Sequence, residues 1–516
     1  MTKKNLIFNS LSGVTQTIVT MLLTLVSVPL FINKLGFEFY GVFAILSVIG
    51  NLNLLANLGL NSSLIVYISK QGKCKESDYD IIVSLMIMFF LLCILLCTLI
   101  LFEHKIIINI LRIPEKYYII SIVLFRCMVI ANSLLFLGQI FSAIIDAHQK
   151  IYITNFFQFI YSLFYWGGLI VVVYFNSSLK NIGIVIVLAA TIWFILILIF
   201  ATRLWGKLDF NGLSENIIRI AKKNALYGSK IYSAGLLSFA FEPLSKILLS
   251  NFIGVQAVAF FDVSLKIRGQ ITAIFGKIFQ PLFPFIASQK ENKELSVKLN
   301  DISSKIFLLV VPCAVLIIFT FKVLLKLWIG DNNIDDLYLF VTFMSVALLL
   351  FSPPLMPIYM FLMATNRANK CVNMQLSAVI VNAVIFFLTY KTIHMYAIVL
   401  SNVLAFATSF VLGIYYQRIY LNFSLKIEGK YFLKVIISGL SISTICYLIT
   451  LIIPEKINNI SIFIITIIGL SLIIIRITSL VTINDINRYF DFNFRIRYIV
   501  TKIFISGKGA LKAKTK

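Results

Sequence analysis

The chain has 516 residues, 60% hydrophobic and 13% charged, with a mean hydropathy of +0.97. A soluble globular chain is about 45–50% apolar and about 25% charged, so the composition excludes that class and points to a membrane protein. The formal net charge of +24 would suit nucleic acid, but its distribution along the chain assigns it to a bilayer instead.

Repeated apolar runs of about 20 residues, each long enough to cross a bilayer core, predict an all-α polytopic membrane protein. Fourteen spans are expected, at 7–32, 40–68, 81–102, 117–145, 152–175, 181–202, 224–250, 255–287, 303–328, 337–363, 371–390, 394–417, 431–453 and 458–479. The first is too long, and lacks a small-residue cleavage site, to be a removable signal peptide. With the N-terminus inside, 29 Lys and Arg fall in cytoplasmic segments and nine in outer loops, of the 45 present. That bias is the positive-inside rule and predicts that both termini are cytoplasmic. The basic tail after 480 reads as solvated or bound to anionic headgroups rather than to nucleic acid.

The first span carries Asn9, Gly13, Gln16, Thr20, Thr24 and Ser27 at steps of three and four, a single helical stripe, and the second adds Asn51. Such a stripe lines either a polar cavity or a tight helix–helix contact. The run "FFQFIYSLFYW" at 156–166 stacks on sugar or isoprenoid, or faces lipid. The seven cysteines show no C-x-x-C spacing and none lies in an outer loop, and the three histidines are scattered, so no metal or triad constellation is indicated.

A repeat runs through the chain. "KKNLIF" (3–8) matches "KKNALY" (222–227), "FINKLGFEFYGVF" (31–43) matches "LSNFIGVQAVAFF" (249–261), and "AHQKI" (147–151) matches "ATNRA" (364–368), at offsets of 217–219. The second match superposes Gly36 on Gly254. The unit is six spans, an even number, so both copies enter the membrane in the same orientation as parallel repeats. The expected domains are a six-helix lobe at 1–205, a second at 206–420, two added helices at 421–480 and a basic tail at 481–516.

Of the 45 basic residues, 29 and nine are assigned to cytoplasmic segments and outer loops, with Lys305, Lys322, Lys326 and Lys434 at span ends, leaving seven deeper in the spans: Arg126, Lys230, Lys246, Lys266, Arg268, Lys277 and Arg476. Five of these, with the acids Glu242 and Asp262, fall in spans 7 and 8. Ionised groups within a membrane normally face a partner or a water-filled cavity, since each costs about 2.5–3.5 kcal/mol on insertion scales. Glu242 and Lys246, and likewise Asp262 and Lys266, are four apart and can pair along one helix face. In one reading the pairs merely hold spans 7 and 8 together. In the other, Arg268, Arg126 and Lys230 have no acid nearby in sequence, and the excess charge suits a pyrophosphate. Pro243 bends span 7 beside these charges, either for movement or for fit.

The stretches "PLFINKLGFEFYGVFAIL", with its L-G-x-x-x-Y-G core, "ANLGLNSSLIVYIS" and "FFDVSLKIRGQITAIFGKIFQPLFPFIAS" resemble polysaccharide repeat-unit flippases. These belong to the multidrug/oligosaccharidyl-lipid/polysaccharide exporter superfamily. The resemblance implies a non-enzymatic flippase of the bacterial cytoplasmic membrane, moving undecaprenyl-pyrophosphate-linked oligosaccharide outward by alternating access. Arg126, Lys230, Lys246, Lys266 and Arg268 become candidates for a cationic substrate cavity. Glu242 and Asp262 become candidates for ion coupling, to an H+ or Na+ gradient or to the membrane potential. Implied partners are the bilayer, the lipid-linked glycan, a polymerase and other assembly proteins. No cofactor or nucleotide-binding motif is indicated. A drug exporter of the same superfamily is the nearest alternative, but it would favour hydrophobic cations and so a less basic cavity. A membrane polymerase would be expected to show a sizeable outer loop with catalytic residues.

Overall fold

The computed structural model describes residues 3–50, 60–175, 179–209, 217–279, 286, 293–330, 334–365, 367–422, 437, 439–444 and 448. Asn51, Arg476 and the expected spans 13 and 14, apart from a few positions, lie outside the described residues. For Asn9, Lys230 and Lys277 only the backbone is described, and it is helical. The described chain is helical nearly throughout, without strands, and nine of its helices are long and apolar enough to cross a membrane.

The described helices, in chain order, include α1 (Lys3–Gly50), α2 (Leu60–Gln71), α3 (Lys75–Leu101), α4 (Tyr118–Ala147), α5 (Ile151–Ser162), α6 (Gly168–Tyr174) and α7 (Lys180–Trp205). There follow α8 (Ile217–Phe252), α9 (Val255–Phe279), α10 (Lys293–Ile329), α11 (Ile334–Phe351), α12 (Met356–Ala364), α13 (Ala368–Ile393) and α14 (Tyr396–Leu421). α8 and α9 are 36 and 25 residues long, and the charges of the sequence analysis sit on them. Two expected spans are interrupted. Pro353 and Pro354 replace a helical turn between α11 and α12 with a tighter one, because proline cannot donate to the helical ladder. A π-turn at Leu163–Gly167 separates α5 from α6.

Glycine sets the break between the first two helices of each repeat. Gly36 has φ 81 and splits α1 into two helices, and Gly254 has φ 127 between α8 and α9. Only glycine occupies that region without a Cβ penalty. Their separation, 254 minus 36, is the 218-residue repeat offset.

The offset recurs in the packing. One core cluster contains Ile68, Ile81, Ile140, Ala143 and Ile144, and another contains Ile286, Leu299, Ile358, Phe361 and Leu362. Adding 218 to each position of the first gives the second. By packing the chain divides into two compact units, Met1–Val263 and Ser264–Lys516. The division falls inside α9, beyond the 205/206 repeat boundary, because α8 lies against α1, α2 and α3.

One end of the first unit is clamped by a polar network. Asp78 accepts from Trp205 Nε1 at 2.6 Å and from the Asp209 amide at 3.2 Å. Lys73 donates to the Trp205 carbonyl at 2.6 Å, and the His148 ring meets Trp205 edge-on. This ties the segment joining the repeats to the start of α3. Asp78→Ala strands a buried indole N–H, and the melting free energy of the purified protein should fall by about 1–3 kcal/mol. An unchanged melting transition would show that the clamp contributes nothing.

Candidate functional site

The second helix of α1 (37–50) crosses the first turns of α9 at van der Waals limits. A Cβ on Gly41 would lie 1.8 Å from the Val255 carbonyl oxygen and 3.4 Å from the Ala259 nitrogen. The Phe37 and Phe260 rings meet edge-on at 5.0 Å beside this crossing. The two segments are repeat counterparts, since Phe37 corresponds to Val255 and Gly41 to Ala259 at offset 218.

That close approach assembles a buried polar group in the first unit. Lys246 Nζ of α8 lies 2.6 Å from Asp262 Oδ1 of α9. The Tyr40 hydroxyl donates to Asp262 Oδ2 at 2.6 Å. Lys246 also reaches the Ala44 carbonyl at 3.4 Å. Lys246, Asp262 and Tyr40 are 7%, 6% and 2% exposed, respectively. Tyr165, in the π-turn at Leu163–Gly167, stacks on Tyr161 at 5.6 Å and lies within electrostatic reach of Asp262. π-turns within helices often mark functional positions, because the extra residue re-aims a side chain.

The expected pairing of Lys246 with Glu242 along one helix is therefore corrected. Lys246 turns across to Asp262, while Glu242 sits on an exposed face of α8 beside Pro243. A lysine and an aspartate on facing buried surfaces attract each other more strongly than a lysine and a carboxylate on an exposed face, since attraction rises as the dielectric falls. Tyr40 was not singled out as a site residue by sequence reasoning. Its only signal was its place in the L-G-x-x-x-Y-G core.

Arg126, with no acid near it in sequence, finds one in the fold: its Nε and Nη2 engage Glu103, 23 residues upstream, at 2.9 and 2.6 Å. This fork ties the segment after α3 to α4. The Arg126 guanidinium holds the Glu103 carboxyl below the ordinary glutamate range. A carboxyl whose folded pKa is lowered contributes stability above its unfolded pKa and loses it as pH falls through the folded value. Glu103→Gln should therefore flatten the acid side of the stability profile measured by thermal unfolding against pH. An unaltered acid limb would exclude that contribution.

In the second unit, the Arg268 guanidinium lies 5.5 Å from the Phe406 ring centre and is 7% exposed. Lys266 is half-buried on the same helix. The first-span stripe packs against α5: Thr20 donates to Ser162 at 2.9 Å and accepts from Gln16 at 3.2 Å. Asn155 donates to Ser12 at 2.9 Å, and Thr24 bonds back to the Thr20 carbonyl. The bonds of Thr20, Gln16 and Thr24 are helix–helix and intrahelical. The aromatic run at 156–166 divides: Phe156, Leu163 and Phe164 are exposed, Phe157 packs with Trp193 and Ile197, and Tyr165 lies between the rings of Tyr161 and Trp166. Among the described residues no group of His, Cys, Asp and Glu is arranged to hold a metal.

The described residues form a helical bundle with charged groups buried in it, and the fold is shared with solved transporter structures. The inward closed conformation of the lipid II flippase MurJ superposes with a TM-score of 0.73, at 15% identity, over 90% of this chain and 97% of that one. The inward-facing structure of a multidrug resistance MATE family transporter of the MOP superfamily gives 0.57, at 12% identity, over 80% and 98%. A Vibrio cholerae MATE transporter gives 0.52 at 13% identity, over 82% and 97%. Residues 4–290, more than half of the chain, match the family described as polysaccharide biosynthesis protein, and the chain belongs to that family. A putative O-antigen transporter of Shigella flexneri is 23% identical over 208 residues, 40% of this chain and 49% of the relative. The chain thus aligns with about half the length of that curated relative.

Proposed function

We propose that this protein flips a polyprenyl-pyrophosphate-linked oligosaccharide from the inner to the outer leaflet of the bacterial cytoplasmic membrane. Two six-helix lobes, 1–205 and 206–420, alternate access, both termini lie in the cytoplasm, and an H+ or Na+ gradient or the membrane potential supplies the energy. The observation that carries this reading is the buried Lys246–Asp262 pair joining α8 to α9. A buried ion pair is weak evidence of stability, because desolvation offsets most of the attraction. It is better explained as a charge kept for use. The names borne by similar proteins, O-antigen transporter and lipid II flippase, support a lipid-linked glycan as cargo. Its pyrophosphate is the natural ligand for ammonium and guanidinium groups, here Lys246, Lys266, Arg268 and Lys230. Asp262, paired with Lys246, is the coupling carboxylate, with Glu242 as the second. The lipid tail remains in the bilayer.

The test is reconstitution in vesicles with a labelled lipid-linked glycan, following the fraction reached by an external glycosidase. Arg268→Ala should slow flipping about tenfold or more at unchanged abundance, as a lost charge-assisted hydrogen bond implies. Arg126→Ala, which removes a tie to Glu103, should lower stability and leave the per-molecule rate. Equal rate losses in both would favour a structural role for all of these charges.

Orientation is tested separately by an impermeant thiol reagent on intact cells. Cysteines at Lys34 and Asp335 should react, and cysteines at Lys75 and Lys293 should not. All four side chains are exposed, whereas Asp78 is buried against Trp205 and would be protected on either side. The reverse labelling pattern would overturn the topology.

A further inference from the structure

We infer that Tyr40 is a positioning residue that holds Asp262 when Lys246 leaves it for an anionic phosphate headgroup. The inference rests on the reading that this site takes a pyrophosphate.

As the structure stands, Asp262 divides its oxygens, Oδ1 to Lys246 and Oδ2 to Tyr40, each at 2.6 Å. A phosphate that captures Lys246 must detach Oδ1. A carboxylate that lost both of these charge-assisted bonds would make that exchange far more costly than one that keeps the second. The Tyr40 hydroxyl belongs to a different helix from Lys246, so it can keep its bond to Oδ2 while the ammonium moves. Its phenol ring is packed tightly, 2% exposed and in an edge contact with Phe31, so the hydroxyl is held in place.

The L-G-x-x-x-Y-G core accounts for that placement residue by residue. Gly36, at φ 81, breaks α1 and starts the helix that carries Tyr40. Gly41 leaves room for the Val255 backbone, which brings α9 and its Asp262 within reach of the hydroxyl. Either glycine can be explained by backbone geometry alone. The tyrosine hydroxyl cannot, because a phenylalanine would pack equally well.

The experiment titrates inorganic pyrophosphate into the full chain in lipid nanodiscs by calorimetry. Wild type should bind saturably, and the neutral double variant Lys246→Met with Asp262→Asn should not. Tyr40→Phe removes a bond that matters most once Lys246 has gone, so Kd should rise about tenfold with the number of sites unchanged. Replacing Tyr40 by a tyrosine with fluorine beside the hydroxyl strengthens the donor in a ring of nearly the same size, and Kd should fall. That second variant keeps the packing, so it decides the question even if Tyr40→Phe folds poorly. A lower site number with unchanged Kd in Tyr40→Phe, or no change with fluorotyrosine, overturns the role of Tyr40 and leaves the binding reading intact. Absence of saturable pyrophosphate binding in the wild type overturns the binding reading, and this inference with it.

Discussion

Lys246→Met is expected to destabilise the protein by about 3–5 kcal/mol, because removing one partner of a buried pair strands the other. Asp262 would then keep only its Tyr40 donor among the two bonds described here, in a site 6% exposed. Asp262→Asn should do comparable damage by stranding the ammonium. The combination of Lys246→Met and Asp262→Asn should restore folding, since two neutral side chains of similar volume carry no desolvation penalty. The restored protein is nevertheless expected to flip lipid-linked glycan at background rate. Abundance and melting temperature report the first effect, and vesicle flipping reports the second. Full transport by the double variant would show that the pair serves only to join α8 to α9.

Gly41→Ala should be damaging for a different reason. The added methyl would sit 1.8 Å from the Val255 carbonyl oxygen and 2.6 Å from its carbon, both backbone atoms. A flexible neighbouring side chain could move aside, but a helix backbone cannot do so without shifting the whole crossing. Overpacking typically costs about 1–3 kcal/mol, and a backbone clash of this size belongs at the upper end. The crossing also sets the reach of Tyr40 to Asp262, so the surviving folded fraction should flip poorly as well. The measurement is melting temperature together with flipping per folded molecule. Near-normal values of both would mean that α9 can withdraw from α1 freely, and that the contact does not position the site.

The charges on α8 and α9 were visible in the sequence as charges, and their partners were not. Position 246 is four residues from Glu242 and 16 from Asp262, so helical spacing favoured the nearer acid. The facing of the two helices decided for the farther one. Arg126 shows the same limit in another place. Glu103 lies just past the apolar run of α3, and only the turn between α3 and α4 brings it alongside. The polar stripe of the first span was legible from its periodicity, but periodicity names a face and not what covers it. Thr20 meeting Ser162 is a fact of how α1 packs on α5.

By itself the sequence determined that this is a multi-pass helical membrane protein, and its internal matches set Gly36 against Gly254 at an offset of 218. Those properties are local or one-dimensional. A bilayer imposes a length of apolar run on each span, a repeat is a matter of offset, and a backbone at positive φ selects glycine directly. Only the tertiary structure decided that Asp262 is shared by Lys246 and Tyr40. Three helices contribute to that group from positions 40, 246 and 262. Their meeting depends on a crossing distance set by the absence of a side chain at Gly41, which no spacing in the sequence expresses.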